Sequence, residues 1–390
     1  MKIPISKIFF DEADFSIVQE PLKSGWVVQG KYVEEFEKQF AVFSDSRYAS
    51  AVSSCTTALH LALLALGIQE GNEVIVPAFT WISTANAIEY CGATPIFCDI
   101  DLQTFNIDVA QIESKITPKT KAIIPVHLFG LAAQMDEIKA LAQKYQLRIV
   151  EDAACGFGTK YKNQPVGSIG EIGCFSFHPR KAITTGEGGM LTTNHKEYHK
   201  IIRILRNHGG GMSDFEKLDQ KYTFLLAEYK HLGYNYRMTD IQGALGVTQM
   251  QKTDFILTKR KEKADYYNEK LKDLNWLKLP YTPAYSNHAY QAYVCLFEPE
   301  KLQQDNIEEL HKKRNDLMFA LEENGVITRQ GTHAVTSQQY YQQKYLIKNL
   351  DFPQAYIADR LTIALPLYPT MTQVEQDYVI NMLITQYAKL

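Results

Sequence analysis

With 390 residues, 45% of them hydrophobic and 22% charged, the chain has the makeup of an ordinary soluble globular protein with core enough for two or three domains. Its formal charge of -3 excludes the strong field on which nucleic-acid or anionic-membrane binding depends, and no run of about 18 apolar residues is present to span a bilayer. Six cysteines without a C-x-x-C pair, and an acidic N-terminal stretch where a signal peptide needs an apolar one, point to reduced thiols and a cytoplasmic protein.

After a turn at Gly25-Trp26 and Gly30, β-like runs recur at Tyr48 to Val52, Glu73 to Val76, Thr94 to Ile100, Lys121 to Leu128 and Leu147 to Glu151, then at Ile172 to Phe177 and Gly189 to Thr193. Several are continuously apolar, as strands buried on both faces are. Helical periods lie between them: Leu59, Ala62, Leu63 and Leu66 share a face before Gly67, and Met135, Ile138, Leu141 and Tyr145 do so after Gly130. This alternation predicts an α/β domain with a mostly parallel sheet, whose ligand belongs at the carboxyl ends of the strands.

From Thr239 the pattern becomes one long helical stretch to about Leu271. Its basic run, Lys259-Arg260-Lys261 with Lys263, reads as a solvated face. A β-like run (Ala289 to Phe297), a helix (Ile307 to Glu323) and a last helix opened by a Thr372/Glu375 capping box complete a smaller α+β domain. The expected division is 1–250, with the N-terminal segment, and 251–390.

The chemistry gathers at the strand ends. Neither G-x-G-x-x-G nor G-x-x-x-x-G-K-[ST] is present, which argues against a dinucleotide fold or a phosphate loop. Instead Ser53-Ser54-Cys55-Thr56-Thr57 stands at a helix start, where free backbone N–H groups and the Thr56 hydroxyl suit a phosphate. Trp81 offers a face for an aromatic ring, and Asp152 a carboxylate for a protonated ring nitrogen. Lys181 tops the turn between the last two strands, where partial burial favours the neutral amine that forms a Schiff base with an aldehyde cofactor; Ser176 lies five residues earlier. Taken singly, each has a plain structural alternative: a cap at Ser54, a core Trp81, a loop-capping Asp152, a solvated Lys181. Together they describe a pocket for pyridoxal 5'-phosphate. No set of metal ligands stands out.

The series SSCTTAL, PAFTWIST, VEDAACGFG, FSFHPRKAITTGEGGM, RNHG and GYNYRMTDIQGALG resembles the DegT-type (DegT/DnrJ/StrS-like) sugar aminotransferases. The resemblance covers nearly the whole chain. It implies a fold-type I pyridoxal-phosphate transferase, with a large domain built on a seven-stranded sheet between helices. It also implies that Lys181 carries the cofactor, Asp152 pairs with the ring nitrogen, Cys55, Thr56 and Ser176 serve the phosphate, and Trp81 stacks on the ring. Asn235 of GYNYR would reach the phosphate of a neighbouring subunit in a homodimer with shared active sites. Substrates would be L-glutamate and a nucleotide-linked ketosugar, with Arg237 and His333 as candidate substrate contacts, in the making of surface polysaccharide or other amino sugars. Cys155 stands where members often carry Gln or His. A keto-cyclitol acceptor remains open; a same-fold dehydratase would carry His in place of Lys181, and a regulatory protein without turnover would lack Lys181 or Asp152.

Overall fold

In the computed structural model, which describes residues 1–211, 215 and 228–390, the seven expected strands pair into one sheet. They are β1 (Tyr48–Val52), β2 (Glu73–Pro77), β3 (Thr94–Cys98), β4 (Thr120–Ile123), β5 (Arg148–Asp152), β6 (Ile172–Ser176) and β7 (Gly189–Thr193). Their order is β1-β7-β6-β5-β4-β2-β3; only β7 runs against the rest, antiparallel to both β1 and β6.

The continuous apolar character of these strands has its expected cause. Val74 and Val76 enter one buried cluster, with Val150 and Ile172, while Ile75 between them enters another, with Ile123, Ile149 and Phe175. Both faces are therefore covered, and the strands' carboxyl ends are left as the accessible edge. The helix Cys55–Ala65 packs on the first face and the helix Lys31–Phe43 on the second, through Phe36 and Phe40.

The C-terminal part holds a three-stranded antiparallel sheet of Leu277–Lys278, Tyr293–Phe297 and Thr362–Leu365, with the helices Ile307–Glu323, Pro353–Leu361 and Gln373–Tyr387. Thr372 and Glu375 form the reciprocal cap that opens the last helix. The N-terminus joins this part: Ile3 pairs with Val326, and the Ile5 carbonyl accepts from the amide of Leu367 at 3.1 Å.

Three expectations need correction. The long helix is two, Asp240–Gln251 and Thr253–Leu271, because Lys252 leaves helical geometry and turns its amine to Asp11 and Asp14. The run from Ala289 becomes a strand only at Tyr293, since Tyr290 takes a left-handed φ of 47°. Arg260 is not solvated: it is 3% exposed, its guanidinium donates to the carbonyls of Tyr290 and Gln291, and burial pulls its pKa down to about 10.

Candidate active site

Four of the large sheet's strands deliver side chains to one place. β1 leads into the helix Cys55–Ala65, β2 into Thr80-Trp81, β5 ends in Asp152, and β6 ends in Ser176 just before the Lys181 turn. There a cavity of about 340 Å³ is lined by Cys55, Thr56, Trp81, Asp152, Ser176 and Lys181, six residues from five stretches of sequence.

The Ser54 alternative is realised without displacing the functional one. Ser54 has extended backbone angles, its hydroxyl accepts from the Thr57 amide at 3.1 Å, and the Thr57 hydroxyl accepts from the Ser54 amide at 3.1 Å. This satisfies the third helical amide and leaves those of Cys55 and Thr56 with no acceptor among the described residues. The Thr56 hydroxyl donates to Ser83 Oγ at 3.0 Å. Gly189, at the start of β7, makes this arrangement possible. A Cβ there would lie 2.4 Å from the carbonyl carbon and oxygen of Ser54, so any side chain would push the helix start away.

Asp152 is 3% exposed and has few partners. Oδ2 accepts from the Thr84 hydroxyl at 2.8 Å and Oδ1 from the Ala154 amide at 3.1 Å. Burial raises its pKa, and the bonds from Thr84 and Ala154 with the charge of Lys181 offset this only in part. A buried carboxylate left above its ordinary range, at a cavity wall, suits a protonated ring nitrogen.

Lys181 is half-buried on a turn held by internal bonds. Its amide donates to the His178 carbonyl at 2.8 Å, and the Thr184 hydroxyl and Thr185 amide both donate to the Phe177 carbonyl, at 2.7 and 3.1 Å. The amine Nζ lies 3.2 Å from Cys155 Sγ. Ser176 Oγ faces the same space, accepting only weakly from the His178 amide at 3.4 Å. Trp81 is no core residue: it is 52% exposed and forms part of the cavity's wall.

Three expected residues stand elsewhere. His333 pairs with Thr80 between two-residue strands, its ring 5.8 Å from that of Trp81 and its Nδ1 3.8 Å from Asp359 Oδ1, and it does not line the cavity. Asn235 bridges to Asn207, and Arg237 donates to Asn207 Oδ1 at 2.8 Å. Neither reaches the cavity of its own chain, although the Tyr236 carbonyl between them accepts from the Ser53 amide at 2.9 Å.

Other functional neighbours escaped the sequence. Glu151 and His127 are both fully buried and 2.9 Å apart. Glu151 also accepts from the amides of Gly167, Ile169 and Gly170 at 2.8, 2.8 and 2.7 Å. Burial pushes its pKa up, but the His127 bond and charge and the glycine amides outweigh it, and the carboxyl rests below its ordinary value. The His127 amide donates to the Asp152 carbonyl at 3.0 Å, so this network fixes the strand end that carries Asp152. Arg180, Arg329 and Gln291 also line the cavity. Only Glu151, adjacent to Asp152 on a strand and hence directed to the opposite side, left a trace in the sequence.

Among the described residues no group of His, Cys, Asp and Glu is placed to hold a metal ion, and no helix is long and apolar enough to cross a membrane. The cysteines are all free thiols, with Cys91 and Cys155 the two not fully buried.

A family model described as the DegT/DnrJ/EryC1/StrS aminotransferase family matches residues 10–384. The chain is 39% identical over 380 residues to the spore coat polysaccharide biosynthesis protein SpsC of Bacillus subtilis, covering 97% of this chain and 95% of that protein. Among solved structures it is similar to the putative sugar aminotransferase Spr1654 from Streptococcus pneumoniae in its PMP-form (TM-score 0.91, 28% identity, all of both chains). Helicobacter pylori PseC, an aminotransferase involved in the biosynthesis of pseudoaminic acid, aligns with a TM-score of 0.90 at 27% identity, again over all of both chains.

Proposed function

The chain belongs to the DegT/DnrJ/EryC1/StrS aminotransferase family, and from that premise we propose that it moves an amino group from L-glutamate to a keto carbon of a nucleotide-linked sugar. It is a sugar aminotransferase of fold-type I, and its cofactor is pyridoxal 5'-phosphate. The observation that carries the proposal is the meeting of Lys181, Asp152 and the free amides of Cys55 and Thr56 around one cavity.

Bound there, the cofactor supplies an aldehyde for the amino group and a ring that takes up electrons released at the donor's α-carbon. Lys181 holds it through its amine. With a donor amine bound, Lys181 Nζ would serve as the base that takes the donor's α-proton and as the acid that gives it back. Asp152 keeps the ring nitrogen protonated. The amides of Cys55 and Thr56 and the hydroxyls of Thr56 and Ser176 bind the phosphate, and Trp81 covers the ring. An anion at a helix start gains about 0.3–1 kcal/mol when exposed and up to ~2 when partly buried, so hydroxyls must supplement it. The same residues then act in reverse on the ketosugar, giving two half-reactions and ping-pong kinetics.

The placing of Asn235 away from its own cavity, on a segment bonded to Ser53, supports a homodimer in which Asn235 serves the neighbouring site, with Arg237 kept as a candidate substrate contact. We place His333 beside the sugar through its contact with Trp81, the domain division near residue 250, and the enzyme in the cytoplasm. The likeness to SpsC, a spore coat polysaccharide biosynthesis protein, and to PseC, an aminotransferase of pseudoaminic acid biosynthesis, supports a role in surface polysaccharide or glycan synthesis. A panel of nucleotide ketosugars incubated with enzyme and glutamate, read by mass spectrometry, tests the substrate. Amination of free sugars or cyclitols only would overturn it.

A further inference from the structure

Two guanidinium groups face the cavity from different parts of the fold. Arg180 precedes Lys181 on the turn after β6; its amide donates to His178 Nδ1 at 3.2 Å and its carbonyl accepts from Gln291 Nε2 at 3.0 Å. Arg329 comes from the C-terminal part, where it exchanges backbone hydrogen bonds with Ala364, an amide-to-carbonyl bond of 3.2 Å in one direction and 2.6 Å in the other. Both backbones are fixed and both side chains line the cavity that holds Lys181.

Neither guanidinium has an ion-pair or hydrogen-bond partner among the described residues, although Glu187 lines the same cavity. The charges repel instead: burial, and next the charge of Arg329, hold the pKa of Arg180 below its ordinary range. Each guanidinium presents a planar fork of donors that matches a carboxylate or phosphate, and an anion between them turns repulsion into two charge-assisted contacts. We infer that Arg180 and Arg329 bind the anionic end of a substrate, a carboxylate or a phosphate, and so select which molecules reach the Lys181 amine. This rests on the aminotransferase reading.

The test uses the cofactor-loaded enzyme and two probes, glutarate for a donor carboxylate and uridine diphosphate for a sugar-nucleotide phosphate. Binding is followed by titration calorimetry for wild type, Arg180→Gln, Arg329→Gln and the double variant. Hydrogen bonds to charged groups contribute about 1.5–3 kcal/mol, so one probe should bind roughly 10- to 100-fold more weakly to the double variant, with the cofactor absorbance and melting temperature kept. Loss of glutarate assigns the pair to the donor, loss of uridine diphosphate to the sugar substrate, and loss of both to the two in turn. Arg180→Lys and Arg329→Lys keep the charge without the fork; they should retain part of the affinity and serve if the double variant does not fold. Unchanged affinity for both probes, or binding of neither by the wild type, overturns the inference. Failure of the aminotransferase reading is separate: the wild type would then give no borohydride adduct at Lys181.

Discussion

The amine of Lys181 lies 3.2 Å from the thiol of Cys155, a contact that joins the turn after β6 to the loop after β5. A thiol is a weak donor and a weak acceptor, so it steadies the lysine without competing strongly for its hydrogen bonds. The lysine is therefore held in place yet available.

Borohydride should fix the cofactor onto Lys181, located by peptide mass spectrometry, and Lys181→Ala should lose all activity. Cys155→Ser should still give the Lys181 adduct, since the hydroxyl can make the same contact. An adduct on any other lysine would sink the assignment.

Asp152→Asn should keep the fold and bind cofactor yet lose activity by orders of magnitude, because an amide does not hold the ring nitrogen positive. Near-normal half-reaction rates would reduce Asp152 to a loop cap. The cofactor-free protein offers a second readout. With the folded-state pKa raised above 3.8, Asp152 favours folding when protonated, and that contribution fades as pH rises through the folded-state value. Asp152→Asn should hence melt higher than wild type at neutral pH, with the gap closing on acidification. A gap independent of pH would refute the linkage.

Glu151→Gln should be costly. It removes the negative charge to which His127 Nε2 and three backbone amides donate, and leaving buried donors to a charged group poorly met costs about 1–3 kcal/mol or more. Because the Glu151 pKa is lowered from 4.5, its contribution is present above that pH and lost as pH falls through the folded-state value. Urea unfolding at several pH values measures both; a change below about 0.5 kcal/mol, the scale of an ordinary surface substitution, would contradict the network's role.

Mixing and refolding Lys181→Ala with Asn235→Asp should restore activity that neither variant has. About half of randomly paired dimers are mixed, and in each one site collects both lesions and the other none, so roughly a quarter of wild-type activity should return. Activity no higher than the mean of the two variants, after exchange is verified, would rule out a shared site.

The sequence made the large sheet and its strand-end residues legible because buried strands and helix starts carry local signals: apolar runs, Ser54 with Thr57, a glycine-rich turn. What it hid depends on register and long-range approach. The Glu151–His127 pair joins residues 24 apart through neighbouring strands, and Arg329 meets Arg180 only after the C-terminal part docks. The break at Lys252 was invisible because helical periodicity resumes after a single residue, and the burial of Arg260 because its partners are backbone carbonyls, which no residue type announces. The placing of Asn235 and Arg237 against Asn207, outside the cavity, likewise depends on long-range approach, about which periodicity is silent.

The pairing of Ile3 with Val326 and of Ile5 with Leu367 carries a consequence for biogenesis. Ile5 and Ser6 form part of the cavity's wall, so a stretch made before the large sheet must wait for partners made after it. A nascent chain that has emerged only as far as the seven-stranded sheet has Lys181 and Asp152 in hand but a cavity open on one side. Cofactor capture should accordingly follow the docking of the C-terminal part rather than the folding of the sheet alone.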